Sequence, residues 1–252
     1  MRLYIIDLGR CNVDKGGVLT PGSGDGVRID IAIVGYLIRT DDGTNILVDT
    51  GMHRKHVADP LATHRGRPLA EVLRVVMKAE DDVVHRLREL GLRPEDIHIL
   101  ISTHFHFDHA GGHENFGHAR IIAQRECYEH GLATNPPTRN LWDLPHLRYE
   151  LVEGDVDVVP GVRALETPGH VPGHQSVLVR LPRTGPVILA IDAIYTKENL
   201  DTDNWRGYPD PARAQASARR LVELARREGA TLIYGHDPAQ WATLRKAPAY
   251  YD

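Results

Sequence analysis

The stretch Ser102 to Gly112, STHFHFDHAGG, governs how the rest of this chain is read. Four side chains of metal-ligand type, His104, His106, Asp108 and His109, fall within six residues. They follow an apolar run, Ile97–Thr103 (IHILIST), suited to a short buried strand. His104 and His106 stand two apart and project to one side of an extended chain. Asp108 and His109 belong to the next turn or helix start and face a second point. One cation cannot take all four side chains plus further ligands without crowding, whereas two cations can share them. Three imidazoles this close repel one another once protonated, so the bland reading, solvated or core histidines, suits them poorly. It suits His56, His64 and His113, which lack such company.

Further ligands are then expected at other strand ends, and three residues qualify. His170 follows the predicted strand Val162–Glu166, Asp192 closes the apolar run Val187–Ile191, and His236 follows Thr231–Tyr234. A carboxylate closing an apolar run is costly unless it is paired or metal-bound. His174, four residues after His170, tempts one to see a helical ligand pair. Pro172 and Gly173 between them argue against a regular helix, so His174 is read as a structural hydrogen-bonding residue.

Composition sets the frame. A chain of 252 residues with 42 % hydrophobic content can bury a sizeable core. A net charge of −4 gives no basic field for nucleic acid or an anionic membrane. Two cysteines, Cys11 and Cys127, make no disulfide framework. The N-terminus lacks the long apolar core of a signal peptide, and no run approaches membrane-spanning length, so a cytoplasmic soluble protein is expected.

Strands are also predicted at Arg2–Gly9, Ile29–Thr40, Asn45–Gly51, Arg120–Ala123, Tyr149–Val152 and Ser176–Leu181. Apolar spacing predicts helix across Pro68–Leu90, at Gln124–His130 and at Pro211–Glu228. Leu132–His146 reads as a long irregular loop, either a cover for the site or an insertion. Many strands with interspersed helices suggest sheet layers covered by helices in one domain spanning 1–252.

The set His104-x-His106-x-Asp108-His109 with His170, Asp192 and His236 resembles the binuclear centre of the metallo-β-lactamase superfamily. The segments HFHFDHAGG, TPGHVPGHQS, IDAIYTKEN and YGHD look like those of the Bacillus-type N-acyl-homoserine lactonases. The resemblance implies an α/β fold, an αββα sandwich of two central mixed sheets flanked by helices. It implies one metal on His104, His106, His170 and Asp192, and another on Asp108, His109, His236 and the same Asp192. It implies that Asp49, in LVDTG, supports a ligand histidine by holding its other N–H. Two divalent metals are expected, zinc first, with iron, cobalt or manganese also suited to imidazole and carboxylate.

The implied reaction is hydrolysis of a lactone, a small-molecule substrate, by a monomer or homodimer. Water between two divalent metals is acidified towards hydroxide and supplies the nucleophile. Tyr195 would hydrogen-bond the substrate carbonyl and developing oxyanion, and Asp108 would carry a proton to the leaving alkoxide. Phe107 either lines the pocket or packs beneath the metals. Another lactone, ester or thioester on the same centre is the alternative, with Tyr195 and TKEN (Thr196–Asn199) favouring a lactone. Iron redox chemistry of the flavodiiron type calls for an appended flavin domain, for which this length leaves no room. A metal-free scaffold is disfavoured because every ligand position is filled.

Overall fold

The computed structural model describes every residue except Asn135 and, at Pro136, the backbone alone. The chain opens with β1 (Arg2–Asp14), α1 (Lys15–Val18), β2 (Arg28–Arg39) and β3 (Asn45–Val48). Next come α2 (Leu69–Val72), β4 (Leu73–Val76), α3 (Val83–Glu89), β5 (Ile99–Ile101) and β6 (Arg120–Gln124). Then follow α4 (Arg125–Thr134), α5 (Pro136–Trp142), β7 (Arg148–Val152), β8 (Val156–Val159) and β9 (Val162–Glu166). The C-terminal part holds β10 (Gln175–Leu181), β11 (Gly185–Ile191), α6 (Lys197–Asp201), α7 (Pro211–Glu228), β12 (Thr231–Tyr234) and α8 (Pro238–Thr243).

Two sheets form the centre. One has seven strands in the order β4-β1-β2-β3-β5-β6-β7, the other five in the order β12-β11-β10-β9-β8. Both are mixed: β3, β5, β6 and β7 run parallel, as do β11 and β12, while β1 to β3 and β8 to β11 pair antiparallel. β5 (ILI) and the end of β11 (VILAI) read as continuous apolar runs because both sheet faces are covered there. In β10, Val177, Val179 and Leu181 join Ile5, Ile38 and Ile101 in the core between the sheets. Leu178 points the other way and shares a cluster with Ala214, Ala218 and Leu221 of α7. Those residues recur every three or four positions and give α7 one buried face. Asp210 caps α7 by accepting from the Arg213 N–H, and Gly229 ends it in a left-handed conformation at φ 64°. The result is the αββα layering expected from the resemblance.

Two expectations are corrected. Pro68–Leu90 is not one helix: it breaks into α2, β4, a 3-10 turn and α3. Leu73 and Val75 are buried while Arg74 and Val76 are exposed, a period of two hidden within apolar spacing that also fits a helix. β4 forms because the far half of β1, Arg10–Val13, offers it an edge. Leu132–His146 is largely helical: α4 runs on to Thr134, and α5 fills Pro136–Trp142, with Asn135 outside the described residues. Proline fits the first turn of a helix, where its missing N–H has no partner to lose. Burial of Leu141 and Trp142 anchors α5, the Trp142 ring lying 4.3 Å from that of Phe105. No helix among the described residues is long and apolar enough to cross a membrane.

Candidate metal centre

Strand register brings the sequence-distant residues together. β3 and β5 are parallel with Val48 beside Ile101, so Asp49 and the segment from Ser102 leave the sheet at one edge. β11 and β12 are parallel with Ile191 beside Tyr234, so Asp192 and His236 leave the second sheet together. His170 lies between β9 and β10, on the turn before Gln175. Gly235 is needed here, since a Cβ on it would lie 2.5 Å from the Ile191 carbonyl oxygen. Asp49 (φ 58°) and Ile191 (φ 53°) adopt left-handed backbone conformations rare for residues with side chains. Strain of this kind collects where geometry is dictated by a site.

The Nε2 of His170 lies 3.1 Å from His104 Nε2 and 2.8 Å from His106 Nδ1. Asp192 separates two groups of imidazoles. Its Oδ2 is 3.3 Å from His170 Nε2 and 3.9 Å from His104 Nε2. Its Oδ1 is 3.2 Å from His236 Nε2 and 3.4 Å from His109 Nε2. Asp108 Oδ2 is 3.7 Å from His109 Nε2. Ligand atoms of His104, His106 and His170 lie within 4.8 Å of one another, as do those of Asp108, His109 and His236. All seven residues named from the sequence thus converge, and six are buried, with His106 partly exposed.

The far side of four imidazoles is held. His109 Nδ1 donates to Asp49 Oδ2 at 2.8 Å. His104 Nδ1 pairs with the Thr103 hydroxyl at 3.1 Å, and that hydroxyl donates to the same Asp49 Oδ2 at 2.7 Å. His236 Nδ1 donates to the Ala32 carbonyl at 3.1 Å, and His170 Nδ1 meets the Tyr195 hydroxyl at 2.7 Å. With Nδ1–H donated in each case, every Nε2 faces the centre. Nothing in the sequence marked Thr103 or the Ala32 carbonyl, because a hydroxyl and a backbone oxygen carry no motif. Tyr208, also missed, stacks on Tyr195 with ring centroids 4.4 Å apart and accepts the Tyr195 N–H at 2.8 Å.

The electrostatics are those of a cation site. Burial works against charge on His109, but Asp192, Asp108 and Asp49 outweigh it and push its pKa up to about 10. Burial likewise opposes a charged His236, and Asp192 overcomes it. Burial and then the neighbouring imidazoles drive His104 well below its usual value. Burial opposes ionisation of Asp192, yet His236, His109 and His170 hold it well below the usual carboxylate range. His109 Nε2 and Asp192 Oδ1 are buried without a hydrogen-bond partner. Unpartnered polar atoms on imidazole and carboxylate, turned to a common point, fit divalent metal ions of the zinc type, which would displace any imidazole proton there.

His174 is no part of this convergence. Its Nδ1 meets the Thr167 hydroxyl at 2.9 Å, and its Nε2 accepts the Asp192 N–H at 3.2 Å. It therefore fixes the backbone that carries Asp192. His113 is buried between the hydroxyls of Thr50 and Ser102. Phe107 lines a cavity of about 670 Å³ that opens onto the centre, and packs against His56 and His64. The cavity has an apolar side with Val18, Leu69, Val72 and Leu73, while Pro137 and Thr138 bring α5 to its wall.

Comparison with known proteins agrees with this geometry. A family model described as the metallo-beta-lactamase superfamily matches residues 31–236. The N-acyl homoserine lactonase AiiA of Bacillus thuringiensis subsp. kurstaki is 40 % identical over 253 residues, covering 99 % of this chain and 98 % of its own. The N-acyl homoserine lactonase AttM of Azorhizobium caulinodans is 34 % identical, covering 100 % and 99 %. A solved N-acyl homoserine lactone hydrolase, with the product N-hexanoyl-L-homoserine at its catalytic metal centre, superposes with a TM-score of 0.92 at 38 % identity, covering 99 % and 98 %. A Bacillus thuringiensis AiiA variant with N-decanoyl-L-homoserine bound gives the same values. By the extent of these matches and by its two-sheet architecture, the chain belongs to the metallo-beta-lactamase superfamily, alongside relatives that are N-acyl homoserine lactonases.

Proposed function

We propose that this protein is a metal-dependent hydrolase that opens the lactone ring of N-acyl homoserine lactones. The observation that carries the reading is the division of Asp192, one oxygen facing His104 and His170 and the other facing His109 and His236. On this reading one zinc ion is held by His104, His106, His170 and Asp192, and a second by Asp108, His109, His236 and Asp192. Such ions supply acidified water and polarise an ester carbonyl. The named lactonases among the relatives, matched end to end, point to the substrate.

The protein's own residues then have distinct tasks. Tyr195 accepts the His170 Nδ1–H, which leaves its own hydroxyl proton free to donate to the substrate carbonyl oxygen as negative charge develops there. Burial, then Tyr208 and Asp192, raise the Tyr195 pKa well above that of an ordinary phenol, so this proton stays in place at working pH. Asp108, on the cavity wall, would take the proton released by the attacking water and hand it to the departing alkoxide. Phe107 and the apolar wall exclude water around the acyl group.

A turnover screen with purified, metal-loaded protein tests the reading. It compares acyl-homoserine lactones, an unsubstituted aliphatic lactone and a thioester. Acyl-homoserine lactones should give the highest kcat/KM. A faster thioester, or no ring opening, refutes it.

A further inference from the structure

Beyond Tyr195 the chain continues Thr196, Lys197, Glu198 and Asn199, and the last two side chains reach back to the segment after β1. Glu198 Oε2 pairs with the Lys15 ammonium at 2.6 Å, and its Oε1 accepts the Ser23 hydroxyl at 2.6 Å. Asn199, fully buried, donates to the Leu19 carbonyl at 3.0 Å. Its Oδ1 accepts both the N–H and the hydroxyl of Thr196 at 2.9 Å. The segment so tied carries Gly17 and Val18, which form part of the cavity wall. That wall closes against the segment bearing Val72, since a Cβ on Gly17 would lie 3.0 Å from Val72 Cγ1. One short stretch therefore bears both the Tyr195 hydroxyl at the centre and the ties that hold an apolar wall.

We propose that Glu198 is a positioning residue: by joining Lys15 to Ser23 it fixes the Gly17–Val18 wall, and thereby sets how tightly the substrate's acyl chain is held. The inference rests on the lactonase reading above. Ring opening occurs among the histidines and Tyr195, whereas an acyl chain gains only where apolar wall replaces water. Glu198 suits the role of an adjustable tie better than Asn199. It is partly exposed, so its loss leaves no orphaned buried group, whereas removing Asn199 would.

The test measures kcat and KM of Glu198→Ala and of the charge swap Lys15→Glu/Glu198→Lys, on N-decanoyl- and N-acetyl-homoserine lactone. Amide hydrogen exchange of residues 16–24 is followed in parallel. Removing one partly exposed ion pair should raise KM for the decanoyl substrate about fivefold, with kcat and the acetyl KM held within about twofold. Exchange across 16–24 should quicken, and the swap should restore both towards the wild type. Equal changes for the two substrates, a fall in kcat, or unaltered exchange overturns the proposal. Wild-type protein that opens neither lactone overturns the functional reading instead, and the exchange data still decide whether Glu198 ties the segment.

Discussion

Replacing Asp49 by asparagine alters one atom in a carboxylate that steadies a histidine of each proposed site. Asp49 is fully buried, and its Oδ1 accepts the Thr103 N–H at 2.8 Å. A backbone N–H cannot reverse its role, so the asparagine oxygen must stay there. The new amide nitrogen then takes the place of Oδ2, opposite the Thr103 hydroxyl and His109 Nδ1. A donor there forces His109 into the tautomer with its proton on Nε2, the atom 3.4 Å from Asp192 Oδ1. That proton stands where the proposed metal would bind. Asparagine tolerates the left-handed conformation at this position, φ 58°, so the substitution isolates the hydrogen-bond chemistry from backbone strain. Loss of such support costs ~10–100-fold in metal affinity, which is about 1.4–2.7 kcal/mol. Chelator competition followed by elemental analysis reads this directly. The ion on Asp108, His109 and His236 should leave first, with circular dichroism unchanged. Two ions retained at wild-type affinity would refute the tautomer argument.

Asp192→Asn should lose metal and turnover together, since one oxygen of the shared carboxylate becomes a donor; full occupancy by elemental analysis contradicts the shared role. Tyr195→Phe should keep its metals and lose about 10²-fold or more in kcat, as expected for removal of one oxyanion donor; an unchanged rate removes Tyr195 from the chemistry. His113 gives a stability test free of substrate. Burial, and then His109, pull its pKa down to about 3, so in the fold it stays neutral where the unfolded chain takes up a proton. Both states are neutral above the ordinary pKa of about 6.5. Stability therefore falls as pH drops from there towards 3. Urea unfolding of metal-free protein should show its advantage over His113→Gln shrinking by about 1.4 kcal/mol between roughly pH 7.5 and 5.5. An advantage independent of pH refutes it.

The sequence by itself determined the candidate ligand types and most of the strands. Zinc-type ions take imidazole, carboxylate or thiolate, and strands buried on both faces are largely apolar, so both signals lie in residue identity. β5, β6 and β11 were legible for that reason, and α7 was legible because Pro211 and Gly229 bracket it. Tertiary structure decided what depends on partners. Leu73–Val76 became a strand because β1 extends past its bulge, where Asp7 and Arg10 pair with Val34 and Ala32, to offer a free edge. Pro136–Trp142 became helix because Trp142 found Phe105. Thr103, the Ala32 carbonyl and Tyr208 entered the site through hydrogen bonds that no local pattern encodes. Even the division of Asp192 between two histidine pairs is decided by tertiary structure: a carboxylate at a strand end has two oxygens, but only the meeting of two sheet edges gives each oxygen its own pair of histidines.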